Sequence, residues 1–246
     1  MFHPLQKSVA AAGMVVACVA STTIGLVAQR GATAPAAAQA QETTPPLLFK
    51  EQWQQAAGAV GVPTSPRRSQ NQYWLASQSA VTNPALEVKL YGTDAGNVTV
   101  YIHEGRADLW TGLTGSPVAV TLRHRDNLID LRGLARVRAI LRTGNLHTLH
   151  PVVRLADGSL LAGSHVIDTD GQFLQTEVSF ENQRWYTIEP DTLGVKGQAV
   201  KVDLGRVDEV GFVDLAPASG HGSSGWANIS WIEVFAKPVR RPASGG

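Results

Sequence analysis

Residues 135–142 read A-R-V-R-A-I-L-R, a stretch in which apolar and basic side chains alternate. Small or aliphatic residues occupy positions 135, 137, 139 and 141, and arginine occupies 136, 138 and 142. Successive side chains of a β-strand point to opposite faces of a sheet, so a period of two predicts a strand with one buried face. The arginines are expected on its solvated face.

The same period recurs along most of the chain. Short alternating segments separated by Asp-Gly and Gly-rich turns are typical of an antiparallel β-sandwich or barrel. One segment, Glu51–Ala59, is predicted as a short helix, with a strand and a turn as the alternative. Trp53, Trp74 and Trp231 lie in apolar strand-like patterns and are expected in the core. The further predicted strands are Leu86–Tyr91, Val98–Ile102, Val118–Leu122, Leu149–Leu155, Ser159–Ile167, Leu174–Phe180, Trp185–Glu189, Ala199–Leu204, Val207–Leu215 and Ile229–Ala236.

The N-terminal part of the sequence has the character of an export segment. Residues 8–28 carry no charge and follow Lys7, a pattern that predicts an export helix, either a signal peptide or an uncleaved membrane anchor. A lipoprotein signal at Cys18 is a third alternative. The predicted organisation is an export segment over 1–40, a linker over 41–46, one β-sandwich domain over 47–237 and a disordered tail over 238–246. The domain is therefore expected in the periplasm, at the cell surface or secreted, with membrane contact only through an uncleaved N-terminal segment.

Composition excludes several classes of function. The 246-residue chain has a formal net charge of +1, which gives no electrostatic basis for nucleic-acid binding. Its one cysteine, Cys18, excludes an intramolecular disulfide and a cysteine-built zinc site. No other cysteine follows the export segment, which suits an oxidising compartment.

Four segments carry a resemblance to a known group of domains: Asp130-Leu-Arg-Gly133 before a strictly alternating strand, Trp185-Tyr186, the run Val207–Phe212, and Trp231-Ile-Glu-Val234. Over Val118–Phe235 the chain resembles the galactose-binding-like jelly rolls related to the complex I intermediate-associated protein family and to family 11 carbohydrate-binding modules. Leu90–Gly92, Asp157–Gly163 and Ser219–Trp226 are also similar to segments of exported bacterial sandwich proteins. The resemblance implies an all-β fold, a two-sheet antiparallel β-sandwich of jelly-roll type, used mostly to bind glycans or partner proteins. It implies no catalytic activity.

The candidate ligand is a carbohydrate, held noncovalently by aromatic rings and hydrogen-bonding side chains. The glycine-rich segment Pro217–Trp226 either approaches a sugar or is a connecting loop. The arginines of 136–142 either clamp the carboxylates of an acidic polysaccharide or pair with acids on neighbouring strands. The predicted ligand-binding residues are Trp110, Arg138, His150, Asp157, Trp185, His221 and Trp226.

Metal and catalytic chemistry have weaker support in the sequence. The histidines lack zinc-ligand spacing, and no nucleophile elbow occurs, so no catalytic residue is predicted. By analogy with jelly-roll modules, a structural Ca²⁺ is the one cofactor considered, with Glu233 as its candidate ligand. Two alternatives stay open: a polysaccharide hydrolase or lyase, and a protein-interaction scaffold. The carboxylates available to a hydrolase include Asp157, Asp168, Glu177, Glu209 and Asp214.

Overall fold

In a computed structural model of the chain, the described residues are 43–61, 72–103, 105–145, 147–215 and 225–242. The predicted export segment over 1–40 and His221 lie outside these residues. Among them, no helix has the length and apolar character needed to cross a bilayer. Their strands are β1 (Leu47–Gln52), β2 (Val60–Gly61), β3 (Tyr73–Leu75), β4 (Leu86–Tyr91), β5 (Thr99–His103), β6 (Arg106–Trp110), β7 (Val118–His124), β8 (Asn127–Asp130), β9 (Arg136–Gly144), β10 (Leu149–Leu155), β11 (Leu160–Gly163), β12 (Leu174–Ser179), β13 (Trp185–Ile188), β14 (Val195–Val200), β15 (Val207–Asp214), β16 (Trp226–Phe235) and β17 (Lys237–Arg240).

The strands form two antiparallel sheets within the described residues. One has eight strands in the order β12-β9-β16-β6-β5-β3-β2, with β1 also paired to β16. The other has nine strands in the order β14-β13-β11-β10-β15-β7-β4, with β8 joining β15 to β17. The prediction of an all-β, two-sheet antiparallel sandwich is therefore confirmed.

The core lies between the inner faces of the two sheets. Strand β9 alternates as the sequence predicts, with Val137, Ala139 and Leu141 buried and the arginines outward. From the opposite sheet, Leu122 and Phe212 enter the same apolar cluster. Burial of these side chains supplies the main favourable free energy of folding.

The structure decides three predictions at the ends of the domain. At Glu51–Ala59 the alternative of a strand and a turn is the correct one, because β1 continues through Gln52 and pairs with β16. The tail is ordered at least to Arg240, since β17 pairs with β8 over Lys237–Arg240. The last residues of the predicted linker also belong to the domain: Pro45 is buried, and the Pro46 carbonyl accepts a hydrogen bond from the Ala236 amide.

A bulge in β16 determines which tryptophan faces solvent. The register of β16 against β9 shifts between Ile229 and Trp231. An extra residue in a strand reverses the face to which each later side chain points. Ile229 and Ile232 therefore both point inward, while Trp231 points outward. The prediction that Trp231 lies in the core is wrong for this reason. Trp53 and Trp74 are buried, as predicted.

Candidate ligand-binding surface

Two of the predicted ligand-binding tryptophans are buried, so the prediction of exposed rings is wrong for both. Trp185 points into the core, where its ring stacks on Phe180 with centroids 6.2 Å apart. Trp110 lies on the outer side of the eight-stranded sheet but packs against Tyr73, with ring centroids 5.2 Å apart. Tyr101 completes that aromatic cluster. Neither tryptophan offers a free face to a sugar.

Two other predicted residues belong to the nine-stranded sheet and its turns. His150 borders a pocket of about 330 Å³ together with Arg184 and Tyr186. Burial lowers the pKa of His150, so this ring is neutral at neutral pH. Asp157 lies in the exposed turn between β10 and β11, where its carboxylate accepts a hydrogen bond from the Ser159 amide.

The remaining predicted residues, Arg138 and Trp226, lie on the outer face of the eight-stranded sheet. There, half-buried aromatic rings of β16 and of the loop before β12 lie beside basic side chains of β1 and β9. We call this surface the arginine–aromatic face. Its members are Lys50, Arg136, Arg138, Arg142, Phe173, Trp226, Trp231 and Phe235.

Cation–π contacts fix the basic groups over the rings of this face. The guanidinium carbons of Arg136 and Arg138 lie 4.4 and 5.0 Å from the centre of the Phe235 ring. The ammonium of Lys50 lies 5.0 Å from the Trp231 ring. Each contact is within the range at which a cation is attracted by the ring face. The surface is therefore an ordered array of rings and charges rather than a set of independent side chains.

Glycine allows Trp226 to lie flat on the sheet. A Cβ atom at Gly144, the neighbour of Trp226 in the β9–β16 pairing, would come within 2.5 Å of the indole ring. Trp226 also packs against the buried cluster that contains Trp110. Trp110 thus lies beneath the arginine–aromatic face and is itself buried.

Most charges on the face are neutralised by neighbouring carboxylates. Glu177 in β12 accepts hydrogen bonds from Arg136 and Arg138. Glu233 in β16 pairs with Lys50 at 3.1 Å and with Arg138 at 3.7 Å. Two cations therefore face Glu233, and these surroundings do not fit the Ca²⁺ ligand predicted at this position. In the described part of the chain, no three His, Cys, Asp or Glu side chains are grouped so that they could hold a metal ion.

The carboxylates considered for hydrolysis are spread over the two sheets and their turns. On the nine-stranded sheet, Glu209 is buried and accepts hydrogen bonds from Thr121 at 2.5 Å and from the hydroxyl of Tyr91 at 2.8 and 2.9 Å. Burial and the adjacent Glu209 raise the pKa of Tyr91 to about 12, which keeps the phenol protonated as a donor. Arg154 donates to the same phenol oxygen at 2.8 Å. This network anchors side chains to one another and presents no carboxylate pair across a cleft.

A buried histidine–aspartate pair was not predicted from the sequence. His147 Nδ1 and Asp214 Oδ2 are 2.5 Å apart, and both side chains are almost fully buried. The backbone of Gly225 lies against the imidazole, since a Cβ there would fall 1.6 Å from a ring carbon. Because the partners are 67 residues apart in sequence, no local pattern signals their contact.

Comparison with known proteins gives likenesses of architecture. No family model matches the chain, and no curated protein matches it. Among solved structures, an exo-β-agarase matches with 10% identity and a TM-score of 0.36 over 69% of this chain and 25% of that chain. PfGH50B matches with 8% identity and a TM-score of 0.35 over 64% and 23%. This chain thus spans about a quarter of each of those proteins.

Two family 11 carbohydrate-binding modules are also among the similar solved structures. A family 11 carbohydrate-binding module from Clostridium thermocellum, in complex with a β-1,3-1,4-mixed-linked tetrasaccharide, matches with 11% identity and a TM-score of 0.34. The match covers 76% of this chain and 95% of that one. A module of the same family from the cellulosomal cellulase Lic26A-Cel5E matches with 10% identity. These are proteins that the chain is similar to, while its own strand pairing establishes the two-sheet antiparallel sandwich.

Proposed function

We propose that this chain is an exported, noncovalent carbohydrate-binding module of the cell envelope and that the arginine–aromatic face is its binding surface. The observation that carries the proposal is the row of half-buried rings on one solvated sheet face, with Trp226 and Trp231 lying along a single strand. The C–H surface of a pyranose is flat and weakly apolar, so it packs well on an aromatic face. The uncharged residues 8–28 and the absence of cysteine after Cys18 support export.

The geometry suits an extended polymer better than a small molecule enclosed in a pocket. Strand β9 has nine residues, which at the usual rise per residue makes it about 30 Å long. Three of the rings lie along the neighbouring strand β16, from Trp226 at one end through Trp231 to Phe235 at the other. A chain of several sugars lying along the strands would meet successive rings.

The test is binding of a polysaccharide panel by the wild-type domain and by Trp226→Ala and Trp231→Ala. The panel consists of mixed-linkage β-glucan, agarose, polygalacturonate and carboxyl-reduced polygalacturonate, and retardation in affinity electrophoresis is the readout. Each substitution is expected to weaken binding at least about tenfold, which corresponds to about 1.4 kcal/mol of lost ring contact.

The matched control is Tyr186→Ala, which removes a half-buried ring from the nine-stranded sheet, beside the pocket that contains His150. This variant is expected to bind like the wild type. Loss of binding in Tyr186→Ala alone would move the site to the opposite sheet and overturn the assignment. Failure of the wild-type domain to bind any polymer of the panel would overturn the proposed function.

A further inference from the structure

We propose that the glycan carries an anionic group, a carboxylate or a sulfate ester, and that Arg142 binds it. The inference rests on the proposed function, because it concerns the same face and specifies the chemical class of the ligand. The contacts that hold the Arg142 side chain in place support this inference.

Three contacts fix the guanidinium of Arg142 at one end of the face. Its Nε donates to the Gly171 carbonyl at 2.8 Å. Its central carbon lies 4.8 Å from the Trp226 ring and 5.3 Å from the Phe173 ring. A guanidinium stacked on rings keeps its in-plane N–H groups available, because ring contacts use only its faces. The side-chain ordering that ligand binding normally requires is therefore largely complete beforehand.

Among the described residues, Arg142 differs from the other cations of this surface in having no acid partner. Lys50, Arg136 and Arg138 all pair with Glu177 or Glu233. Across the described ranges, no carboxylate lies within ion-pair distance of Arg142, and neither terminal nitrogen has a hydrogen-bond acceptor. The positive charge and both terminal amino groups remain for a ligand.

The nearby acids do not neutralise this charge. Asp168 and Asp170 lie in the loop that reaches Arg142 through Gly171. The Asp168 carboxylate accepts hydrogen bonds from the Asp170 amide at 3.0 Å and from Thr143 Oγ1 at 3.4 Å. Asp170 is exposed and forms no ion pair with Arg142. A ligand anion at Arg142 would therefore replace water rather than displace an existing carboxylate.

The Trp226 ring and the Arg142 guanidinium are adjacent, and this adjacency determines the chemical class of the ligand. A sugar lying against the half-buried Trp226 side chain has its ring substituents within reach of the neighbouring guanidinium. Carboxylate and sulfate oxygens match the planar fork of arginine and accept two parallel hydrogen bonds. A neutral hydroxyl gains far less from a fixed cation, because charge-assisted hydrogen bonds are about twice as strong as neutral ones. The face thus selects an acidic polysaccharide at one position and tolerates neutral sugars elsewhere.

The experiment compares polygalacturonate with its carboxyl-reduced form, using wild type, Arg142→Gln and Arg123→Gln. The wild type is expected to bind the acidic polymer at least about tenfold more tightly than the reduced one. Arg142→Gln is expected to lose that difference while retaining binding to the reduced polymer. Arg123→Gln is the matched control: it removes an arginine of β7, on the other sheet, that is already paired with Glu87 and Asp208, and it is expected to keep the preference. Melting temperatures verify that each variant is folded.

Dextran sulfate measured against dextran distinguishes the two anion sources, since a sulfate site would prefer the sulfated polymer and ignore the uronate. Equal wild-type affinity for charged and neutral polymers in both pairs would overturn this inference while leaving the proposed function intact. Retention of the preference by Arg142→Gln would overturn the assignment to Arg142. Absence of binding to every polymer would instead remove the proposed function, so the two failures are distinguishable.

Discussion

Gly211→Ala is expected to destabilise the domain by about 3 kcal/mol or more, although it adds a single methyl group. Gly211 lies in β15, between β10 and β7 of the nine-stranded sheet. A Cβ atom at this position would come within 2.0 Å of the Val120 carbonyl oxygen and 2.7 Å of the Thr121 Cα. Both contacts are with backbone atoms, which cannot rotate away as a side chain would. The two central strands must separate, with loss of ladder hydrogen bonds and of core packing around Phe212.

Thermal unfolding measures this effect directly. For a domain of this size, about 3 kcal/mol corresponds to a fall in melting temperature of about 10 °C. The control is Gly96→Ala, where an added Cβ meets nothing within 4 Å and the backbone lies outside the positive-φ region. This variant is expected to melt within about 2 °C of the wild type. Equal melting temperatures for Gly211→Ala and the wild type would contradict the close approach of β15 and β7.

Asp214→Ala is the second substitution with a large expected effect, a loss of about 3 kcal/mol. The carboxylate of Asp214 is the hydrogen-bond partner of His147 Nδ1 at 2.5 Å. His147 Nε2 is buried with no hydrogen-bond partner among the described residues. After the substitution the imidazole would have no hydrogen-bond partner among the described residues, and burying such a ring without compensation is costly.

A double-mutant cycle separates this pair from a simple cavity effect. If the contact between the two side chains accounts for the loss of stability, the double variant His147→Ala/Asp214→Ala should lose less free energy of unfolding than the two single variants added together. The expected difference is at least about 1 kcal/mol. Asp157→Ala serves as the control, since its carboxylate is exposed and accepts a local hydrogen bond from the Ser159 amide, so its loss should cost about 1 kcal/mol or less. Strict additivity of the two changes in urea unfolding would show that the pair is not coupled.

The alternation in residues 135–142 is sufficient to predict β9 and the position of its arginines on the solvated face. This succeeds because side-chain parity in an unbroken strand is a purely local property. The same reasoning failed at Trp231, because the bulge in β16 adds a residue and reverses the parity. Nothing in the apolar pattern around Trp231 distinguishes a bulged strand from a regular one.

Other features depend on contacts between distant segments and have no local signal. The chain beyond Pro238 is polar and has no apolar period, yet Arg241 donates to the His124 carbonyl and pairs with Asp208, and β17 pairs with β8. Trp185 begins a predicted strand and Trp110 lies outside the predicted strands, but the exposure of both rings depends on the neighbours that pack against them. For the proposed binding surface, the sequence indicated Arg138 and Trp226 but not Phe173, Phe235 or the distinction between Arg142 and its paired neighbours.

Amide chemical shifts measured during titration of the ¹⁵N-labelled domain with galacturonate oligosaccharides test the location and chemistry of the site together. The account predicts that the perturbed amides cluster in β9, β16 and the loop around Gly171, with the largest changes beside Arg142 and Trp226. Perturbations concentrated in β10, β11 and β13, around the pocket that contains His150, would contradict it. A spectrum unchanged at saturating oligosaccharide would contradict it as well.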